Sequence, residues 1–270
     1  MPRHTAISIL LFVNILLFAV TGASAAAMRR EIVQGRFGAG KQNACALRDS
    51  YGFMWVGTRT GLCCYDGKGR SVNSLQSGTL NGTTGQSVST LYEYGDNIWF
   101  GTPTGLKVFD RHANQVSAFP YRTKYRVNVS SPVQRILDSG AGRIWIITLG
   151  QGLFVFNSTD STLVQNSRYS AFYSDLALGD DGRMYTVTLE GKMQVFNQAG
   201  DFIEEHVIPG FEYDKTILHM ASAGRRIYVS GNSELYTYSI DTQEFISPTF
   251  KITPRVSVNS LLALEDHDVL

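Results

Sequence analysis

The sequence contains five copies of one segment, each centred on an aromatic residue that follows a short turn. These aromatic residues, called anchors here, lie 40 to 46 residues apart at Trp55, Trp99, Trp145, Tyr185 and Tyr228. A sixth copy begins at residue 258. Repeats of this length that consist of short strands indicate a β-propeller, in which each copy forms a blade of four antiparallel strands. We therefore expect an all-β fold with five recognisable blades and a truncated sixth.

Each copy has the same order of apolar runs and turns. The first run is predicted to be the innermost strand, and a turn rich in Asp and Gly joins it to the strand that carries the anchor. A second turn with Gly precedes the third strand, and a weaker fourth strand follows. We expect the anchors to pack between neighbouring blades. The predicted structural positions of the repeat are Trp55, Gly57, Thr58, Gly61, Trp99, Gly101, Thr102, Gly105, Trp145, Thr148, Gly152, Tyr185 and Tyr228.

The charge balance argues against a nucleic-acid partner for this segment. The chain has 24 Lys and Arg residues against 23 Asp and Glu residues, so its net charge is +1. Binding to nucleic acid usually requires a strongly basic surface. Hydrophobic residues make up 43% of the chain, which is typical of a globular protein and argues against disorder.

Residues 1–25 are predicted to be a secretory signal peptide. A basic start precedes an uncharged, mostly apolar stretch, and small residues follow at positions 23–27. An uncleaved membrane anchor is the alternative, because about 20 apolar residues can span a bilayer. Export permits disulfides, but the three cysteines cannot all pair within one chain, and we expect Cys45, Cys63 and Cys64 to be small apolar core residues.

Residues 26–270 are predicted to be one propeller domain that is incomplete at its C-terminal end. Residues 30–37 are the candidate strand that closes the ring, by pairing with a blade beyond residue 270. An unclosed ring would expose strand edges, so we expect the chain to be a fragment. A five-bladed ring that closes on its own is the alternative.

The repeat motif resembles that of a known family. Residues 49–67 read D-x-x-G-F-M-W-V-G-T-R-T-G-L-x-x-Y-D-G, and residues 97–106 read N-I-W-F-G-T-P-T-G-L. Both closely resemble the two-component-regulator propeller repeat of Bacteroides-type hybrid sensors. The third copy has Ile147 where Gly is usual, and the fourth and fifth have Tyr at the anchor. The resemblance covers roughly residues 30 to 270.

The resemblance implies a periplasmic, ligand-sensing propeller that belongs to a membrane-anchored sensor histidine kinase. It implies a glycan or oligosaccharide ligand, further propeller blades, a kinase module in the same sensor and a homodimer of the full-length protein. It also implies that this segment is not an enzyme. A stand-alone propeller enzyme, of the lyase or glycosidase kind, and a protein-interaction scaffold are the alternatives.

The candidate ligand-binding residues come from the loops that form one rim of a propeller. Turns between second and third strands supply one group, and the segment that enters the third blade supplies the other, which combines aromatic and basic side chains suited to sugar rings and their substituents. The candidates are Arg59, Gln151 and Glu190 in the turns and Tyr121, Arg122, Lys124, Tyr125 and Arg126 in the segment. No metal site is predicted, because the five His residues show no zinc-ligand spacing. No catalytic residue is predicted either, because there is no G-x-S-x-G motif and the acidic residues are scattered, and no cofactor is predicted.

Overall fold

The computed structural model describes residues 43–66, 71–74, 86–211, 217–231 and 234–251. These residues form only strands, turns and irregular segments, and no helix among them could cross a membrane. The predicted signal peptide at residues 1–25, the candidate closing strand at residues 30–37 and the sixth copy from residue 258 lie outside the described residues.

The strands form five antiparallel sheets of four strands each. The first sheet contains β1 (Asn43–Arg48), β2 (Met54–Thr58), β3 (Gly61–Tyr65) and β4 (Ser71–Ser74). The second contains β5 (Leu91–Tyr94), β6 (Asn97–Thr102), β7 (Gly105–Asp110) and β8 (Gln115–Ala118). The third contains β9 (Val133–Asp138), β10 (Arg143–Thr148), β11 (Leu153–Asn157) and β12 (Thr162–Asn166).

The two remaining sheets repeat the same pattern. The fourth contains β13 (Tyr173–Leu178), β14 (Met184–Thr188), β15 (Lys192–Phe196) and β16 (Phe202–Val207). The fifth contains β17 (His219–Ala223), β18 (Arg226–Ser230), β19 (Glu234–Ser239) and β20 (Glu244–Lys251). Within each sheet the strands pair in chain order, and the first strands of successive sheets contact one another. This is the β-propeller predicted from the repeat, with the first strand of each blade innermost.

The anchors pack between neighbouring sheets, as predicted. Each of the first four contacts an aromatic ring on the third strand of the next sheet. The ring centroids lie 5.0 Å apart for Trp55–Phe109, 5.3 Å for Trp99–Phe156, 5.8 Å for Trp145–Phe196 and 6.0 Å for Tyr185–Tyr238. Tyr228 differs, because it is only half-buried and belongs to the last described sheet.

The Gly of the W-x-G-T motif is required by close packing in the first two sheets. A Cβ atom at Gly101 would lie 2.7 Å from Ser89 Oγ and 2.9 Å from Val133 Cβ, and one at Gly57 would collide with Cys45 and Val88. In the third sheet Ile147 fills the equivalent position and is fully buried. A buried side chain is therefore accommodated at this position of the third sheet.

The Thr of the motif holds the turn between the second and third strands. Thr58, Thr102 and Thr148 each donate a hydrogen bond from Oγ1 to a backbone carbonyl across the turn, at 2.9, 2.8 and 2.7 Å. The same oxygen accepts a hydrogen bond from a backbone N–H within that turn. A buried hydroxyl thus satisfies two backbone groups that the tight turn would leave unpaired.

The cysteines are packing residues, as expected. Cys63 and Cys64 are buried on the third strand of the first sheet, and Cys45 is half-buried on β1. All three lie among the described residues, and no two of them form a disulfide.

Candidate functional site

The two predicted groups of rim loops meet in the structure. The turn at residues 149–152 hydrogen-bonds to Pro132 and Ala171, which lie in the segments that enter the third and fourth sheets. The turn at residues 189–191 hydrogen-bonds in the same way to Phe172 and Ile208. These turns and entering segments therefore form one rim, which we call the loop rim.

Gln151 links the two groups of loops directly. Its side-chain oxygen accepts hydrogen bonds from the backbone N–H groups of Ser130 and Ser131, both at 2.8 Å. Its side-chain amide donates to the carbonyl of Asn128 at 2.9 Å. These contacts use most of the polar capacity of Gln151, so this side chain fixes the shape of the loop rim.

Residues 121–126 lie at the outer edge of the third sheet. Thr123 forms a parallel bridge to Leu163 on β12, the outermost strand of that sheet. Tyr121 is half-buried, with its ring 4.5 Å from that of Phe156 and 6.1 Å from that of Trp99. Tyr121 therefore fills the space between the second and third sheets.

The remaining candidates in that segment surround a tight turn. The N–H of Arg126 donates to the carbonyl of Thr123 at 2.8 Å, and Arg126 has a φ of 63°. Arg122, Lys124 and Arg126 are exposed. Tyr125 is 78% exposed, and the Lys124 ammonium lies 4.9 Å from the centre of its ring. The turn presents basic groups and one aromatic ring to solvent.

The structure does not bring all the predicted residues into one site. Arg59 and Glu190 are exposed in turns of the first and fourth sheets, and Gln151 lies in a turn of the third. The turn at residues 123–126 lies at the outer edge of the third sheet, away from the innermost strands. The sequence predicted which loops form the rim, but the residues chosen from those loops do not come together at one point on it.

A cluster of three ionisable side chains lies on the innermost strands at the loop rim. Arg135 on β9 and His219 on β17 both approach the carboxylate of Asp175 on β13. Arg135 Nη1 lies 2.8 Å from Oδ1 and 3.0 Å from Oδ2, and His219 Nδ1 lies 3.7 Å from Oδ2. The cluster thus joins three successive blades at the ends of their first strands.

Asp175 is buried and remains ionised in this cluster. Burial by itself would raise the pKa of its carboxyl group. The Arg135 guanidinium, His219 and the backbone N–H groups of Met220 and Leu176 outweigh that effect, so the pKa of Asp175 lies below its ordinary value. Those two N–H groups donate to the carboxylate at 2.9 and 2.8 Å. The charge of Asp175 is therefore compensated within the protein.

Sequence reasoning missed this cluster although the repeats contain a signal for it. On the first strand of its sheet, each of the three residues lies two positions before the residue that pairs with the anchor. They are Arg135, Asp175 and His219, and they therefore occupy one position of the repeat. The first two sheets have Cys45 and Thr90 there. Each charged residue stands alone in an apolar run, and only aligning the copies brings them together.

A second charged cluster lies at the opposite end of the strands and has a structural role. Arg111 contacts Asp49 at 3.0 Å and Glu93 at 2.8 Å, and thereby joins the second sheet to the first. The carboxylate of Asp49 also accepts hydrogen bonds from the indole of Trp55 and from the turn N–H groups of Tyr51 and Phe53. Among the described residues, no group of three or more His, Cys, Asp or Glu side chains could hold a metal ion.

The structure is similar to solved propeller domains, whereas no protein-family model and no curated protein matches the sequence. One similar structure is the extracellular domain of a putative hybrid two-component system from Bacteroides thetaiotaomicron, with a TM-score of 0.67 and 18% identity. The match covers 86% of this chain and 31% of that domain.

Two further structures bear on the comparison. The extracellular domain of a second putative hybrid two-component system from the same organism has a TM-score of 0.61 and 21% identity, over 84% of this chain and 32% of that domain. Virginiamycin B lyase from Staphylococcus aureus has a TM-score of 0.62 and 14% identity, over 85% of this chain and 76% of the lyase. The chain is a β-propeller, and it spans about a third of the length of the sensor domains it matches.

Proposed function

We propose that this chain is part of the ligand-sensing region of a periplasmic hybrid two-component sensor. The observation that carries the proposal is the structural similarity to extracellular domains of two such systems, over 86% and 84% of the chain. The motif at residues 49–67 supports it independently, because it closely resembles the repeat of that sensor class. In this proposal the chain binds a ligand and catalyses no reaction.

The proposed ligand is a glycan or oligosaccharide that binds at the loop rim. Arg59, Gln151 and Glu190 lie in turns of that rim, which the Thr hydrogen bonds and the Gln151 contacts hold in shape. A preformed surface binds at a lower entropic cost than a mobile one. The exposed turn at residues 123–126 is proposed as an additional contact surface for the ligand or a partner.

The full-length protein is proposed to contain further blades and a kinase module and to act as a homodimer. Ligand binding would then change the arrangement of paired sensor domains and the output of the kinase. Export by the signal peptide at residues 1–25 would place the propeller in the periplasm, with the full-length protein anchored in the inner membrane.

Deletion of the gene tests the sensing role. The wild-type and deletion strains are grown on glucose and on a panel of polysaccharides, and transcripts are sequenced. The proposal predicts that induction of a gene set by one polysaccharide is lost in the deletion strain and returns on complementation. Unchanged induction on every polysaccharide would disprove the sensing role.

The similarity to virginiamycin B lyase favours an enzyme as the second candidate. The same panel, incubated with the purified protein and analysed by mass spectrometry, separates the two. The sensing proposal predicts that every saccharide is recovered intact. Cleavage products that accumulate with time and protein concentration would favour the enzyme.

A further inference from the structure

Arg135 uses only part of its guanidinium to hold Asp175. Both contacts run from Nη1, and no residue in the described part of the chain accepts a hydrogen bond from Nε or Nη2. The Arg135 side chain is 38% exposed, whereas that of Asp175 is 6% exposed. One nitrogen of the guanidinium therefore holds Asp175, while the other two have no hydrogen-bond partner among the described residues.

His219 is placed in a similar way. Its Nδ1 faces Asp175, so Nε2 lies on the other side of the ring, and no described residue forms a hydrogen bond or ion pair with Nε2. The His219 side chain is 23% exposed. Arg135 on blade three and His219 on blade five thus flank a buried carboxylate on blade four.

The buried carboxylate orients the cluster and offers little to a ligand. Its two oxygens already interact with Arg135, with His219 and with two backbone N–H groups. Within this cluster, the hydrogen-bonding groups that remain accessible to a ligand are therefore those of Arg135 and His219. A buried Asp that holds an Arg in place lowers the entropic cost of binding through that Arg.

The other acidic side chains of the innermost strands lie at the opposite end. On β1, β5, β9, β13 and β17 the acidic residues besides Asp175 are Glu93 and Asp138. Glu93 is held by Arg111 and Ser50, and Asp138 accepts hydrogen bonds from Tyr92 and Gly140. They pair with residues close to the turn that joins the first and second strands. No acidic group on these strands thus competes with an anion at the loop rim.

We infer that Arg135 and His219 form a subsite for an acidic group of the ligand, a carboxylate or a sulfate carried by a saccharide. The open edge of a guanidinium matches the paired oxygens of both groups, and charge-assisted hydrogen bonds of this kind are among the strongest in proteins. The inference rests on the proposed sensing function and makes the ligand class more specific: an acidic oligosaccharide.

Calorimetric titration of the full-length protein tests this subsite. The probes are trigalacturonate, its fully methyl-esterified form and a sulfated disaccharide, so the charge is varied and the two acidic groups are compared. The inference predicts that at least one acidic probe binds about 10-fold or more tightly than the esterified trimer. Which acidic probe binds distinguishes a carboxylate ligand from a sulfate ligand.

Substitution of Arg135 locates the binding. Arg135→Lys keeps a positive charge beside Asp175 but removes the planar fork, and we expect the acidic probe to bind about 10- to 100-fold more weakly. Arg143→Lys is the matched control, because Arg143 lies on the same sheet at the end away from the loop rim. His219→Gln, which removes a weaker contact at 3.7 Å, serves as a second variant should Arg135→Lys lower the melting temperature.

The possible failures are distinguishable. Equal affinity for the acidic and esterified trimers, no binding of either acidic probe, or affinity unchanged by both Arg135→Lys and His219→Gln would overturn the acidic subsite. The sensing function would then still be tested separately by the transcript experiment, which uses neither variant.

Discussion

Two tryptophans at the same position of the repeat have different hydrogen bonds. The indole N–H of Trp55 donates to the buried carboxylate of Asp49 at 2.8 Å. The indole N–H of Trp145 is buried and has no hydrogen-bond partner among the residues that the structure describes. In the third sheet Ser139 occupies the position of Asp49, and its hydroxyl donates to the carbonyl of Arg143 instead. The two rings are buried to a similar extent, but we therefore expect their contributions to stability to differ.

This difference predicts unequal effects of one substitution. Trp55→Phe removes a hydrogen bond to the Asp49 carboxylate, whereas Trp145→Phe removes a buried donor that no described residue satisfies. Both replace an almost fully buried ring by a smaller one, so the loss of packing is similar. We expect Trp55→Phe to reduce the free energy of unfolding by about 1 to 3 kcal/mol more than Trp145→Phe. Urea unfolding measures both, and equal losses would contradict the assignment.

The lowered pKa of Asp175 predicts that the stability of the folded protein depends on pH. Its pKa is lower in the folded protein than in the unfolded chain, so its contribution is complete above the ordinary Asp value of about 4. The contribution is lost as the pH falls further through the folded-state pKa. Asp175→Asn should therefore be clearly less stable than wild type at pH 7, and the gap should narrow by pH 3.

Melting temperatures at the two pH values check this. Glu190→Gln is the control, since Glu190 is exposed in a rim turn and has no ion pair within the described ranges. For this control we expect the gap from wild type to be small at both values. A gap for Asp175→Asn that stays constant from pH 7 to pH 3 would be inconsistent with an ionised, compensated Asp175.

At the scale of the elements, the sheets are held together by close contact between β-strands. Ser174 on β13 both accepts a hydrogen bond from the N–H of Leu218 and donates one to its carbonyl, at 2.7 and 2.8 Å. Met220 N–H donates to Asp175 across the same junction. A ligand that contacts one innermost strand can therefore change the hydrogen bonds between that strand and the neighbouring innermost strand.

Because the surroundings of Gly101 are closely packed, we expect even the methyl side chain of alanine to destabilise the fold at this position. An added Cβ would lie within 3 Å of Ser89, Thr90 and Val133, the last of which is on the next innermost strand. We expect Gly101→Ala to reduce the free energy of unfolding by about 1 to 3 kcal/mol. In the control Gly231→Ala, the nearest atom to the new Cβ is 3.6 Å away, and the change should be within about 0.5 kcal/mol. Chemical denaturation compares them, and similar values for the two variants would argue against this packing.

At the scale of the whole molecule, the repeat predicted the architecture because every blade has the same order of strands and turns and an aromatic anchor on its second strand. The period gave five sheets, their strand order and the buried anchors Trp55, Trp99, Trp145 and Tyr185. The site was harder to predict, because its residues are what distinguishes one blade from another. Arg135, Asp175 and His219 come from three copies and meet only when the first strands lie side by side.

The same reasoning explains the predicted loop residues. Tyr121 and Gln151 have side chains suited to a ligand, but the sequence did not reveal that Tyr121 packs against Phe156 or that Gln151 binds the backbone at residues 128–131. Those contacts depend on how the entering segment folds against the outer edge of the third sheet. Residue type alone did not separate these supporting roles from recognition.

Hydrogen–deuterium exchange of the full-length protein, with and without the acidic probe that binds in the calorimetric titration, tests the central claim most directly. The claim is that the propeller recognises its ligand at the loop-rim ends of the innermost strands. It predicts slower exchange in peptides that cover residues 133–137, 173–177 and 218–221. Protection confined to residues 123–127 at the outer edge, protection confined to residues 49–53 at the opposite end, or no protection at all would contradict it.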